Sequence, residues 1–269
     1  MAFPTSTPPR PRTPWEIQRA VLFAIFVRDL RARVVGRWSG LAWLFLEPMA
    51  HLLLLVTFFS YVRHLSSPNM PLPVFLIAGL MPFFLFRNLM TKLSESIEGN
   101  RALFSYRQVK PFDAVAGRGM VESVLWLGSF ALTLLIMAWL GFEITPKRPL
   151  ELLAALCVIG LLGAGVGLLL AVLTHGQPRV RSVIRMLYLP LYFTSGVIFS
   201  VERLPADLHA WLLWNPLLHL VELTRRGFEP AHTSIDGIGF TYPCAVLLVL
   251  AAFAMAVYRR DRQKLLLGD

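Results

Sequence analysis

Charge is scarce in this chain. Of its 269 residues, 16% are Asp, Glu, Lys or Arg and 56% are hydrophobic. Soluble domains carry about 25% charged residues, so the composition excludes an ordinary soluble enzyme. Cysteine is nearly absent. Cys157 and Cys244 are the two, both inside apolar runs, with no C-x-x-C pair and no metal-ligand spacing. They read as small apolar fillers. No Gly is followed by Lys, so there is no Walker A phosphate loop. The H-E-x-x-H and G-x-S-x-G patterns are missing too. His219 and Glu222 are spaced to share a helix face, but one such pair is thin ground for catalysis. The expectation is a chain with no enzymatic activity and no ATP, metal or other cofactor of its own. Acidic residues number 16 against 26 Lys and Arg, for a net charge of +10. The basic residues stand at the ends of apolar runs rather than on one compact face. That argues against nucleic acid as a partner and for anionic phospholipid headgroups.

Apolar sequence fills the space that charge leaves, with a mean hydropathy of +0.60. A helix needs roughly 20 apolar residues to cross a bilayer. Six such runs occur, at about residues 41–62, 74–93, 119–141, 150–173, 183–201 and 237–258. On a six-span path, 19 Lys and Arg fall on one side and six on the other, with Arg87 inside the second span. The six are Arg63, Lys147, Arg148, Arg203, Arg225 and Arg226. The richer side is expected to be cytoplasmic, which places both termini there. The fold class is an all-α integral membrane protein with six transmembrane helices.

The segments between and before the spans are unlike one another. Residues 1–13 are rich in Pro, Thr and Arg. They lack the apolar stretch of roughly 7–15 residues that marks a signal peptide and read as a flexible cytoplasmic tail. Residues 14–40 follow a capping-box start, Thr13-Pro14-Trp15-Glu16. Only residues 20–27 are then uninterrupted apolar sequence, and Arg28, Arg31, Arg33 and Arg37 follow. Too short to cross, this segment reads as an interfacial amphipathic helix on anionic headgroups, or as a cytosolic helix packed on a partner. The cytoplasmic connection over residues 99–118 mixes Arg101, Arg107 and Lys110 with Leu103, Phe104, Tyr106, Val109 and Phe112. Such apolar content fits docking into a partner's groove or packing on the membrane surface. Residues 205–228 include Trp211 and Trp214 but are broken at Asn215-Pro216. Each half is too short to cross. A re-entrant helical hairpin between helices 5 and 6 solves this where protein or a water-filled cavity covers the backbone; an amphipathic surface hairpin is the alternative. Residues 259–269 read as a basic cytoplasmic tail.

Glu47 lies within the first span and Arg87 within the second. A charge at the bilayer centre costs about 2.5–3.5 kcal/mol on insertion scales, so the two are candidates for an intramembrane pair. Snorkelling of each to the inner interface is the other solution. Gly160, Gly163, Gly165 and Gly167 mimic a phosphate loop but sit in an apolar helix without Lys; they read as close helix packing.

The residues also carry a resemblance. Gly36-Arg37-Trp38-Ser39-Gly40-Leu41-Ala42-Trp43-Leu44-Phe45-Leu46-Glu47-Pro48 enters the first span after a basic helix. Val109-Lys110-Pro111 stands in the cytoplasmic loop, and Asn215-Pro216-Leu217-Leu218-His219-Leu220-Val221-Glu222 precedes the last span. In this order, over roughly residues 15–264, the chain resembles the permease subunit of ATP-binding-cassette exporters of capsular polysaccharide. The resemblance implies a homodimer in the bacterial inner membrane, served by two separate ATPase subunits that bind ATP and Mg. It implies a lipid-anchored polysaccharide as cargo and envelope partners in the periplasm and outer membrane. Under it, Arg101, Phe104, Tyr106, Arg107, Lys110, Pro111, Phe112 and Asp113 are expected to meet the ATPase. Arg28, Arg31, Arg33 and Arg37 stand where a phosphate-bearing anchor approaches, with headgroup binding the alternative. Trp43, Tyr188, Tyr192, Phe193, Trp211 and Trp214 are candidates for a glycan path, or for aromatic belts facing lipid.

Other readings stay open. One is the same architecture with O-antigen, teichoic acid or a small drug as cargo. Another is half of a secondary transporter, for which Glu47 and Glu122 are the available buried carboxylates. A membrane-bound transferase is the enzyme alternative.

Overall fold

A computed structural model describes residues 13–34, 38–61 and 70–267 of the chain. Most of the expected tail, together with Arg37, Arg63 and Pro68, lies outside these residues. Among the described residues the chain is helical, without a strand. Proline opens many of the helices, because its missing N–H costs nothing in the first turn. Helix α1 (Pro14–Val34) starts this way. Its box closes as expected: Thr13 N–H donates to Glu16 Oε2 at 2.9 Å, and Glu16 N–H to Thr13 Oγ1 at 3.3 Å. Helices α2 (Trp38–Tyr61) and α3 (Leu72–Ser94) follow. A single turn, α4 (Ser96–Gly99), and a 3-10 turn (Arg101–Ser105) lead to α5 (Pro111–Trp139) and α6 (Pro149–Leu173). Then come α7 (Pro178–Met186), α8 (Tyr188–Thr194), α9 (Ala206–Leu212), α10 (Pro216–Phe228) and α11 (Thr241–Leu267).

Four helices among the described residues are long and apolar enough to cross a membrane: Leu72–Ser94, Pro111–Trp139, Pro149–Leu173 and Thr241–Leu265. In α2 the apolar stretch is shorter, Phe45–Phe59. The expected fifth span, 183–201, is not one helix. It is divided into α7 and α8 at Leu187, and the chain leaves helical structure after Thr194. Pro190 explains the break, since its ring clashes with the carbonyl four residues earlier, at Met186. Two further boundaries move. The third expected span, α5, begins at Pro111 rather than 119, so it absorbs the end of the expected docking loop. The last helix runs through Arg259, Arg260, Arg262 and Lys264 to Leu267, where a tail was expected.

Helix α3 is the axis of the bundle. Every residue from Val74 to Phe86 is buried, against α6, α10, α5 and α2. The glycines of α6 make the closest approach possible. A Cβ on Gly163 would stand 2.9 Å from the Phe86 carbonyl oxygen, and one on Gly167 2.7 Å from Leu93 Cβ. Gly165, on another face, lies against Leu250 of α11. The small-residue run is thus the packing device the sequence indicated.

Pro82 interrupts α3 from within and deprives the Ala78 carbonyl of its usual partner. The gap is closed from α10, where the Thr224 hydroxyl lies 2.6 Å from Ala78 O and 2.7 Å from Val221 O. Thr224→Val should therefore cost about 1 kcal/mol or somewhat more, the usual range for a buried hydrogen bond. Pro82→Ala supplies the missing N–H, so the same Thr224→Val change should cost less in that background. Thermal unfolding of the four proteins in detergent checks this; equal losses in both backgrounds would exclude the proposed coupling.

Candidate functional site

Helical spacing assembles one polar face from three helices. On α2, Trp43, Glu47 and His51 follow at intervals of four; on α3, Phe84, Arg87, Asn88 and Thr91 share a face; on α8, Tyr188 and Tyr192 do so. The structure brings these together. Arg87 Nη2 donates to Glu47 Oε1 and lies 3.4 Å from Asn88 Oδ1. Its guanidinium carbon sits 4.3 Å from the centre of the Phe84 ring, a cation–π contact. His51 Nε2 is 3.0 Å from the Tyr192 hydroxyl. The Thr91 hydroxyl donates to the Arg87 carbonyl at 2.7 Å, so at the 2.7 Å contact between Thr91 and Tyr188 it is Tyr188 that donates. Phe193, beside Tyr192, is exposed, as is Trp43.

The end of the bundle that holds α4 is tied by a chain of ions. Helix α1 lies along the first half of α5: Gln18 Nε2 donates to Asp113, Ile25 fills the space over Gly117, and Arg33 pairs with Glu122. Arg118 reaches Glu122 at 3.1 Å and Asp29 at 3.8 Å, and Arg28 pairs with Asp29 and donates to Asn100. Of the basic residues expected at lipid, Arg28 and Arg33 thus hold α1 to α5 and α4, Arg31 is exposed, and Arg37 lies outside the described residues. Trp15, Arg19 and Phe23 form the exposed ridge of α1. Of the expected docking residues, Arg101, Tyr106, Arg107, Lys110 and Phe112 are exposed and Phe104 is half-buried. Pro111 and Asp113 are buried in the first turn of α5. There Asp113 Oδ2 accepts from the Lys110 N–H at 2.8 Å, which makes it a helix-start residue rather than part of a loop surface.

On the far side of α4, Glu98 Oε2 accepts from Arg181 at 3.0 Å and Oε1 from the Gly176 N–H at 2.9 Å, while Arg185 pairs with Glu95. The Arg181 hydrogen bond, more than any other influence, holds the Glu98 carboxyl below its ordinary value of 4.5. A depressed folded value means stability that is present above about pH 4.5 and is lost as pH falls through the folded value. Wild type should thus lose stability over that acid range more steeply than Glu98→Gln. Melting temperatures at stepped pH test this; parallel curves would contradict it.

At the opposite end of α8 stands the segment broken at Asn215-Pro216, with α9 before the break and α10 after it. Asn215 organises it: Oδ1 caps α10 by accepting from the Leu217 N–H at 3.0 Å, and Nδ2 donates to Ser195 Oγ at 3.0 Å and Thr194 Oγ1 at 3.2 Å. Trp211 and Trp214 are exposed there. Helix α10 is buried along almost its whole length. Arg225, expected as an outer-loop charge, has no exposed side-chain surface. Its Nη1 donates to Glu222 Oε1 at 2.7 Å, and its Nη2 to the carbonyls of Gly196 at 2.7 Å and Val197 at 2.8 Å. The guanidinium lies 3.7 Å from the centre of the Phe75 ring, and Gly79 provides room for it. Glu222 Oε2 accepts from His232 Nε2 at 2.7 Å. His219 is not paired with Glu222. It donates from Nε2 to the Leu213 carbonyl at 2.9 Å and accepts the Gly239 N–H at Nδ1. Helix α10 is thus locked to α3 and to the chain after α8.

Known proteins place this architecture. Residues 20–228 match the family described as ABC-2 type transporter. The chain belongs to that family. Polysialic acid transport protein KpsM of Escherichia coli is 36% identical over 257 residues, covering 95% of this chain and 98% of its own. Capsule polysaccharide export inner-membrane protein CtrC of Neisseria meningitidis serogroup A is 26% identical, covering 89% and 91%. O-antigen export system permease protein RfbA of Myxococcus xanthus is 32% identical, covering 91% and 94%.

The chain is therefore a multi-pass transport permease rather than an enzyme, and its family works with an ATP-binding-cassette partner. Of the two carboxylates that a secondary transporter would need, Glu122 in this permease is engaged by Arg33 and Arg118.

Proposed function

We propose that this permease exports lipid-anchored capsular polysaccharide across the bacterial inner membrane, as a homodimer beneath which two separate ATPase subunits bind ATP and Mg. The observation that carries the reading is the likeness to KpsM over nearly the full length of both chains. The missing Walker A loop is consistent with an energy source on another chain. Under this reading six segments cross, α2 and the α7–α8 pair among them, both termini are cytoplasmic, and α9–α10 is a re-entrant hairpin at the outer mouth. Arg101, Tyr106, Arg107, Lys110 and Phe112 meet the ATPase, with Phe104, Pro111 and Asp113 holding the turn that presents them. Exposed Arg31, with Arg28 and Arg37, receives headgroups or the anchor phosphate. Tyr188, Tyr192, Phe193 and Trp43 line the glycan path, and Trp211 and Trp214 its exit. Sugar rings stack on aromatic faces without tight polar bonds, which lets a polymer slide. Periplasmic and outer-membrane partners complete the route.

O-antigen is the second reading, supported by the 32% identity to RfbA. Tagged permease purified in mild detergent from its native membranes should bring down an equimolar ATP-binding-cassette protein. A chain that purifies alone and drives ion-coupled uptake would falsify the proposal.

A further inference from the structure

The Glu47–Arg87 pair has an unusual setting for charges in apolar helices. It is not sealed, for Arg87 and Glu47 keep 25% and 34% of their side-chain surface. Around it α3 is buried, while Arg87, Asn88 and Thr91 are half-buried on one face. Open ions facing acyl chains are unfavourable, so such groups line a bundle interior or a water-filled cavity. The pair is also held by one arm. Among the described residues, Nη2 alone of the Arg87 nitrogens has acceptors, Glu47 and Asn88. Among the same residues Nε and Nη1 have no acceptor and Glu47 Oε2 has no donor. A guanidinium satisfied by a structural partner would present its planar fork to both carboxylate oxygens. Here the fork is only partly used. The buried Phe84 ring lies beneath the cation, and the Tyr188 and Tyr192 hydroxyls, polar aromatic groups of the kind that meet sugars, stand on the same face, against Thr91 and His51.

We infer that Arg87 is an oxyanion-binding residue on the transport path, and that Glu47 is its resident counter-ion, displaced when an acidic group of the cargo arrives. The ligand chemistry is a carboxylate of an acidic sugar or a phosphate of the lipid anchor. Exchange of one anion for another keeps the cation neutralised at every stage. It gives weak, reversible binding, which a moving polymer needs. This site rests on the exporter reading above and adds selectivity for acidic cargo to it.

The roles predict opposite signs for the two partners. If the pair were only structural, loss of either charge would weaken the protein alike. If Glu47 competes with cargo, its neutralisation tightens binding. Full-length permease in nanodiscs, with its ATPase, is titrated with fluorescent oligosialic acid, with the carboxyl-reduced oligomer, and with short-chain phosphatidylglycerol. Melting temperature is followed throughout. We expect Arg87→Gln to weaken oligosialic acid binding at least tenfold, Arg87→Lys to weaken it less, and Glu47→Gln to tighten it several-fold. The reduced oligomer should bind wild type and variants alike. Loss confined to phosphatidylglycerol would keep the oxyanion site and assign it to the anchor phosphate. The Glu47→Gln/Arg87→Gln double variant, which leaves no unpaired charge, should fold and still bind acidic oligomer poorly. Unchanged affinity for both anions in Arg87→Gln, or weaker binding in Glu47→Gln, overturns the inference. Wild type that binds oligosialic acid and its reduced form equally, with no effect of any variant, overturns this site while leaving the exporter reading intact. Wild type that binds none of the three probes overturns both.

Discussion

Arg225→Met should leave almost no folded permease in the membrane. The side chain is completely buried, and it serves four groups at once: Glu222, the Gly196 and Val197 carbonyls, and the face of Phe75. Its removal strands a carboxylate whose only other partner among the described residues is His232, and it orphans the two carbonyls that pin the chain after α8 to α10. Breaking one side of a buried ion pair costs about 3–5 kcal/mol, a large share of a stability of about 5–15 kcal/mol. The same reasoning makes Glu222→Met/Arg225→Met less damaging than Arg225→Met alone, because no unpaired charge then remains. Size-exclusion profiles and melting temperatures of the tagged proteins in detergent decide the matter. A single variant as stable as wild type would show that the knot carries no structural weight.

Gly163→Val should rank next, at about 3 kcal/mol, the upper end of what overpacking costs. The clash is with backbone, since the new Cβ would stand 2.9 Å from Phe86 O and 3.1 Å from Phe86 Cα. A carbonyl on a buried helix has no rotamer with which to retreat, so α3 and α6 must separate along the bundle's central contact. Gly128, on α5, offers the control, as nothing lies within 4 Å of its added Cβ. Gly128→Val should melt within a degree or two of wild type, while Gly163→Val melts far lower or aggregates. Similar melting of the two would mean that the α3–α6 approach is looser than described.

What could be read in the sequence depended on how local the cause was. The capping box at Thr13, the glycine run of α6 and the break at Asn215-Pro216 are short-range devices, and each is where the sequence places it. Glu47 and Arg87 were legible as a pair because apolar surroundings leave a charge few other solutions. Pro190 carried a readable signal for the division of α7 from α8, but the apolar composition of residues 183–201 outweighed it. Arg225 was illegible for a different reason. It stands beside Arg226 in a basic doublet that looks solvent-bound, and its partners are Glu222 one turn away, the distant Phe75 ring and two carbonyls 28 and 29 residues earlier in the chain. Nothing in local pattern announces such a knot. The acids Asp29 and Glu122 likewise gave little warning that α1 is bonded to α5. Charge counting treats each Arg as a topology signal, while here several of them are spent on internal pairs.

The central claim, that this permease carries capsular polysaccharide outward, meets its most direct test in the cell that makes the polymer. Surface and intracellular polysaccharide are measured in a strain lacking the chain, with and without a plasmid copy. The account predicts that the deletion strips the surface, that polymer accumulates inside, and that the wild-type copy restores export. Normal surface polysaccharide in the deletion strain would contradict it.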